Sequence, residues 1–506
     1  RETGDNVVSI VEQLQRSDIT IRSDRDATYF DIGGTVGISY GVIGTWITSV
    51  LAVLLGALAW IRITRFLIRE EGLGRWVLGL AWMVLAVASA GAGMVGATAA
   101  LRAAREVYHP WYAHPDRLFL MLTAIGGAVA WMVARAGRWI PLRARGLRHP
   151  AMVWTYTLPV WIGLAGFGLW AAPAAAYLWT LPLLSAGLAL LIAPPRNAGG
   201  LRIASVVILA ISASFWLRDT LELLRFMVAV FGRLPFMTPV YVYPALIALA
   251  GLMIAPPLFA AAAGAQPLLR PALATAVALA AVAITSMSAW LAPAYTADQP
   301  LRRYVRAVQE QGGSTSMWKV GSLEPGLDLG EGAPSGWATT DGSSRTIPWL
   351  SLAQPFVLST TGPPLGPAPG SVSAFALTPV AGGAGTTLSI SVIPKEPALA
   401  VSFVLPAGLA PARSTLPGVV RQGRWTATFV AVPREGVAWE ASFAAGTPEQ
   451  LKATRVVVTS SGLPGAPGWQ RLPAWLPQEH AVWNAWFTWV LDPAVPPALE
   501  PVAPLR

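Results

Sequence analysis

Two histidines, His109 and His114, fall five residues apart in the segment HPWYAHP and form the most metal-like pair in this sequence. A pair of ligands on one helix face needs a spacing of three or four residues, and an ion held by protein needs further ligands in register. Here Pro110 and Pro115 follow the two histidines and break any helix through them. No acidic residue sits in register with the pair. The segment therefore reads as a Trp-Tyr-His loop at a membrane interface. Only two other histidines exist, His149 in an arginine-rich stretch and His480 near the end, and each reads as an isolated surface residue.

Other chemistries find equally little to build on. Asp328, Glu331 and Asp341 share a glycine-rich stretch but lack the ligand spacing of a calcium loop, so the stretch reads as a solvated turn. Serine is common after Tyr295, yet no G-x-S-x-G elbow and no working pair of carboxylates accompanies it. No glycine-rich phosphate loop follows a strand. With no cysteine among the 506 residues, thiolate nucleophiles, thiolate metal sites and disulfides are excluded from this chain. The sequence thus assigns no catalytic, cofactor-binding or metal-binding residue.

The elements that would position any site are mostly apolar. The chain is 54% hydrophobic and 12% charged with a mean hydropathy of +0.52, about half the charge of an average soluble protein. Span cores are read at Ile38–Trp60, Trp76–Ala99, Leu118–Ala134, Met152–Trp170, Ala174–Ile192, Ile203–Leu217, Val240–Ala262 and Ala272–Leu291. Leu221–Phe231, which carries Glu222 and Arg225, reads as an interfacial or re-entrant helix. No ionisable residue lies firmly within a span, since Asp219 and Glu222 fall at a span end beside Arg218 and Arg225. That counts against ion-coupled transport, which needs buried charge. Pro159, Pro182, Pro244, Pro256 and Pro257 predict helix kinks.

The net charge of +10 is mostly arginine, gathered between the apolar runs. The loop after the first span holds Arg62, Arg65, Arg69 and Arg75, and the loop after the third holds Arg135, Arg138, Arg143, Arg145 and Arg148. Arg196 and Arg202 follow the fifth, and Arg270 follows the seventh. The alternate loops are poorer in arginine, apart from the one carrying Arg218, Arg225 and Arg233. This alternation is the positive-inside pattern, so the charge reads as topology rather than as nucleic-acid binding. Both termini are then expected on the exoplasmic side, in the inner membrane of a bacterium given the arginine-, alanine- and proline-rich composition.

Before the first span, Thr3–Gln15 has the spacing of an amphipathic helix, followed by a charged linker, the extended ATYFDI and a Gly33-Gly34 turn. After Tyr295, glycine- and proline-rich turns separate strand candidates at Thr387–Val392, Ala400–Leu405, Trp425–Val432, Val437–Phe443 and Thr454–Thr459. The tail with Trp475, Trp483, Trp486 and Trp489 reads as a last strand pair or a helix returning to the membrane surface. The expected fold is a polytopic α-helical membrane domain of about eight spans followed by an all-β, sandwich-like exoplasmic domain. The boundaries are 1–34 for the end of an upstream domain plus linker, 35–295 for the transmembrane domain and 296–506 for the β domain.

Two segments carry a family resemblance. GDNVVSIVEQLQ at Gly4–Gln15, followed by ATYFDIGG at Ala27–Gly34, resembles the junction between peptidase domain and first span in membrane-bound M28 metallopeptidases. That group includes the endoplasmic-reticulum metallopeptidase and the fungal vacuolar membrane protease. AYTADQPLRRYVRAVQEQGGSTSMWKVGSLEPG at Ala294–Gly326 resembles the segment that opens the family's β-rich exoplasmic domain.

The resemblance implies a dinuclear zinc peptidase domain upstream of Gly4, so zinc is expected only there and no residue of this chain takes a zinc or catalytic role. The chain is then the non-catalytic membrane anchor and exoplasmic domain of an M28-like zinc metallopeptidase. Its partners would be the lipid bilayer and that upstream domain or other membrane-protein subunits, with no nucleic acid. Two alternatives remain open: a structural scaffold subunit of a larger bacterial membrane complex, and a transporter or lipid-handling membrane protein.

Overall fold

The computed structural model describes residues 27–32, 36–136, 149–232, 234–263, 271–327, 329, 332–333, 335–339, 356–380, 385–396, 398–421, 423–444, 448–461, 475–476 and 481–494. The expected helix at Thr3–Gln15, the Gly33-Gly34 turn, most of the Arg135–Arg148 cluster, and Arg233, Arg270, Asp328, Glu331, Asp341 and His480 lie outside the described residues. By its contacts the chain divides into two compact units. One comprises 1–101, 114–230 and 239–292, and the other 102–113, 231–238 and 293–506.

The first unit is helical. A hairpin of β1 (Ala27–Ile32) and β2 (Val36–Gly41) leads into α1 (Val42–Glu71) and α2 (Leu73–Arg105). Then come α3 (Pro115–Ala136), α4 (Pro150–Ala171), α5 (Tyr177–Ile192), α6 (Ala198–Phe231), α7 (Val242–Ala262) and α8 (Pro271–Leu291). Among the described residues, seven of these are long and apolar enough to cross a membrane, and α5 is a shorter apolar helix of 16 residues. At 1.5 Å per residue α5 measures roughly 24 Å, less than the ~30 Å of a hydrocarbon core.

Several boundaries differ from those read in the sequence: the first span, read from Ile38, is helical only from Val42, because Val36–Gly41 is β2. The separate helix expected at Leu221–Phe231 is the second half of α6, which runs unbroken for 34 residues because Arg218-Asp219-Thr220 contains neither glycine nor proline. Likewise Arg62, Arg65 and Arg69 stand on the last turns of α1 rather than in a loop, since the helix stops only at Gly72, where φ is +80°.

Small residues let α1 and α5 meet closely. The buried face of α1 begins Thr45, Ser49, Ala52, Gly56 and Ala59, at alternating spacings of four and three. A Cβ on Gly56 would lie 2.7 Å from Leu183 Cδ1, and one on Gly187 would lie 2.8 Å from the Leu55 backbone. At Gly187 the obstacle is backbone, so a larger residue there needs a helix to move, whereas at Gly56 the Leu183 side chain would have to shift.

The in-helix prolines account for the indole hydrogen bonds of three tryptophans, Trp161 and Trp216 buried and Trp60 half-buried. Proline has no N–H, so the carbonyl four residues before it loses its helical donor. Pro159, Pro182 and Pro256 thereby free the carbonyls of Thr155, Leu178 and Leu252. Each is taken by an indole from another helix: Trp60 Nε1 donates to Thr155 O at 3.0 Å, Trp216 Nε1 to Leu178 O at 2.8 Å, and Trp161 Nε1 to Leu252 O at 2.9 Å. An unmatched buried carbonyl is costly, so each freed carbonyl is tied to the neighbouring helix that satisfies it.

The second unit is mostly sheet. A mixed sheet has the strand order β11-β12-β9-β14-β15-β3-β4-β6-β5, and a smaller antiparallel sheet has the order β10-β13-β8-β7. The strands are β3 (Leu301–Glu310), β4 (Ser316–Ser322), β5 (Ala338–Thr339), β6 (Phe356–Gly362), β7 (Gly370–Pro379), β8 (Thr386–Pro394), β9 (Ala400–Val404) and β10 (Arg413–Ser414). They continue with β11 (Gly418–Arg421), β12 (Arg424–Val430), β13 (Val437–Phe443), β14 (Arg455–Ser461) and β15 (Ala481–Leu491). All five strand candidates read from the sequence match strands within two residues at each end.

The period-two alternation of β13 buries Val437, Trp439, Ala441 and Phe443, which share one core with Phe403 and Trp425 of the larger sheet. Trp439 stacks on Phe403 at 4.8 Å between ring centres, and its indole donates to Ser414 Oγ at 2.9 Å. Of the two readings of the tryptophan-rich tail, a last strand pair or a surface helix, the strand is found for Trp483, Trp486 and Trp489, though as one strand and not a pair of its own. That strand, β15, lies inside the larger sheet, parallel to β3 and antiparallel to β14.

Candidate functional site: a buried carboxylate and a basic cleft

Among the described residues, no histidine joins a ligand cluster and no group of three or more His, Asp or Glu could hold a metal ion. His149 is the N-cap of α4, where its Nδ1 accepts from the Ala151 N–H at 3.3 Å. His114 precedes α3 and belongs to the helical unit, whereas His109 belongs to the sheet unit.

His109 is fully buried rather than interfacial. Burial first, and then the charge of Arg102, push its pKa down to about 3, so the imidazole is neutral at physiological pH. Arg102 also lies over the Trp111 ring at 5.4 Å and donates to Thr238 O at 3.0 Å.

Among the described residues of this unit, the carboxylate with a shifted pKa is one the sequence did not single out. Glu324 follows β4, is fully buried, and accepts three hydrogen bonds. The Tyr108 N–H donates to Oε2 at 2.6 Å, and the His109 N–H and Tyr295 hydroxyl donate to Oε1 at 3.0 and 2.6 Å. Burial raises the Glu324 carboxyl above its ordinary range against these donors and the Arg102 charge, which pull it down. Tyr295 is pushed up strongly, first by burial and then by the Glu324 charge.

All three of these partners donate to the Glu324 carboxyl, which latches the 106–113 segment to Tyr295 and the end of β4. The adjoining cleft among Tyr112, Pro235, Tyr295 and Leu323 holds about 10 Å³, room for about one water molecule and no substrate. No sequence signal marks Glu324, because its partners lie 29 to 216 positions away.

The acidic and basic residues at the end of the sixth span do pair. Arg225 donates to Glu222 at 2.8 Å, but it also grips Asp116 through two bonds of 2.9 and 3.0 Å, a partner on α3 that local spacing could not reveal.

The larger cavity is in the helical unit. A cleft of about 460 Å³ is lined by Leu58, Ile61, Arg62, Arg65, Phe66, Arg69 and Glu70 of α1, with Pro195 and Arg196 from the turn before α6. Four guanidinium groups face one carboxylate there. Arg62 is fixed by donating to the Leu191 carbonyl, and among the described residues Arg65, Arg69 and Arg196 form no ion pair.

No family model matches the sequence, and no curated protein matches it. Among solved structures, the mu-homology domain of yeast delta-COP-I, complexed with a Dsl1 WxWxV peptide, aligns at 13% identity. The alignment covers 38% of this chain and 95% of that one, with a TM-score of 0.20. A second structure of the yeast delta-COP-I mu-homology domain aligns at 11% identity over 38% and 94% of the two chains, with a TM-score of 0.19. Likeness at this level carries no argument about fold or function.

Proposed function

We propose that this chain is the non-catalytic membrane anchor and exoplasmic domain of an M28-like zinc metallopeptidase, probed most directly through the hairpin that precedes α1. In the resembling family the YFD segment joins peptidase to membrane. Here Phe30 of that segment is buried in the helical unit, stacked on Tyr177 at 4.7 Å and edge-on to Phe215 at 5.7 Å. Thr28 and Thr45 share a 2.6 Å hydroxyl–hydroxyl hydrogen bond. Such a hairpin would hold a domain joined upstream of Ala27 at a fixed point on the helices.

In this reading the helices cross a bacterial inner membrane, the shorter α5 included, with both termini and the sheet unit exoplasmic. The zinc ions and the general base belong to the peptidase domain, and the sheet unit flanks it. The test is to express the complete reading frame and measure bound zinc and aminopeptidase turnover. Two zinc ions per molecule with turnover support the proposal. An upstream sequence without zinc-ligand motifs, or a zinc-free inactive product, removes it.

A second reading, a scaffold subunit of a larger membrane assembly, draws on α2 and α8. Only 11% and 6% of their apolar windows are buried within the chain, which leaves faces for other helices as well as for lipid. Co-purification of stoichiometric membrane subunits after mild solubilisation would favour it.

A further inference from the structure

The face of α1 that lines the basic cleft changes character along its length. Leu54, Leu58 and Ile61 are 56%, 55% and 39% exposed, and they are followed on the same face by Arg62, Arg65 and Arg69. Spacings of three and four residues keep Leu54, Leu58, Ile61, Arg65 and Arg69 in one stripe. The stripe is apolar over the length that would lie in hydrocarbon and basic over its last two turns. Arg196 closes the basic end from the turn between α5 and α6, so arginines from the end of α1 and from that turn converge on one cavity.

We propose that this cleft binds the phosphate of an anionic lipid headgroup, with an acyl chain laid along the apolar stripe of α1. Among the described lining residues, four guanidinium groups against the Glu70 carboxylate leave three positive charges in excess. Guanidinium matches phosphate oxygens with paired donors, which ammonium cannot do. The cavity of about 460 Å³ lies in the usual range for small-molecule clefts, about 300–1,000 Å³. A free phosphate would use the arginines but leave Leu54, Leu58 and Ile61 without a role. The continuous apolar stripe selects a lipid, and basic pockets between membrane helices commonly take such headgroups. The inference rests on α1 crossing a bilayer and is independent of the peptidase reading.

The full chain, delipidated in detergent, would be returned to bilayer discs of phosphatidylcholine with or without phosphatidylglycerol. Retained lipid is then counted by native mass spectrometry. Wild type should retain phosphatidylglycerol in preference to phosphatidylcholine, and the double variant Arg65→Gln/Arg196→Gln should lose that preference by on the order of tenfold. Arg75→Gln, which breaks an ion pair with Glu71 outside the cleft, should leave it unchanged. If the double variant melts early without lipid, Arg65→Lys/Arg196→Lys decides the matter, because it keeps the charge and loses the paired donors. An undiminished preference in a folded double variant, or equal retention of both lipids by wild type, overturns the proposal. Inorganic phosphate that raises the melting midpoint as much as phosphatidylglycerol would identify a soluble phosphate as the ligand and overturn it too.

Discussion

Trp161 Nε1 lies 2.9 Å from the Leu252 carbonyl, the group that Pro256 deprives of its donor within α7. The indole is fully buried, so no water can replace it. Trp161→Phe should therefore destabilise the helical unit by about 1–2 kcal/mol beyond its packing loss. Pro256→Ala restores an N–H to the Leu252 carbonyl. In that background the same Trp161→Phe change should cost measurably less, as read in a double-mutant cycle by denaturant unfolding. Equal costs in the two backgrounds would mean the indole bond contributes nothing.

Gly187→Ala should destabilise by about 1–3 kcal/mol, because its new methyl group meets the backbone of α1 and neither helix can yield locally. Gly163→Ala, in α4 with nothing within 4 Å of the added carbon, should be neutral or gain up to about 1 kcal/mol from helix propensity. Thermal midpoints of the two variants in the same detergent distinguish close approach from a general intolerance of alanine.

Tyr295→Phe removes one of three donors from Glu324 and should cost about 1–3 kcal/mol in unfolding of the sheet unit, followed by tryptophan fluorescence. Glu324→Gln should be no rescue, since an amide NH₂ must then face backbone N–H groups of Tyr108 or His109.

The two buried titratable groups act on stability with opposite signs. His109 has a folded pKa of about 3 against 6.5 unfolded, so its contribution is complete above about pH 6.5 and is lost as pH falls from there towards about 3. Glu324 is raised above 4.5, so its neutral form favours folding and stability falls as pH rises from 4.5 through the raised value. Below pH 4.5 only the His109 limb remains of the two, with a slope of up to about 1.4 kcal/mol per pH unit. His109→Gln should flatten that limb in unfolding curves measured from pH 3 to 7. An unchanged slope would place the histidine in water.

With no native cysteine, topology can be read from single introduced thiols. Asn197→Cys, in the turn between α5 and α6, should be shielded from an impermeant reagent added to intact cells. Glu435→Cys, exposed in the turn between β12 and β13, should label. The reverse pattern would invert the proposed orientation.

The sequence by itself determined what depends on local composition and short periods. Apolar runs near twenty residues marked the helices, because the apolar stretch and its helical length are both properties of consecutive residues. Alternation fixed strands such as Val437–Phe443 to the residue, because the period-two pattern is what divides a strand into core and solvent faces. The tertiary structure alone decided which distant groups meet. Trp161 and the carbonyl freed by Pro256 are 91 positions apart, and Arg225 and Asp116 are 109 apart. The buried carboxyl of Glu324 is satisfied because three donors from two chain segments converge on it. The basic cleft needed one more fact, that α1 continues to Glu71 and aligns its arginines with Arg196. Each of these depends on long-range packing, and one sequence carries no record of which residues the packing brings within bonding distance.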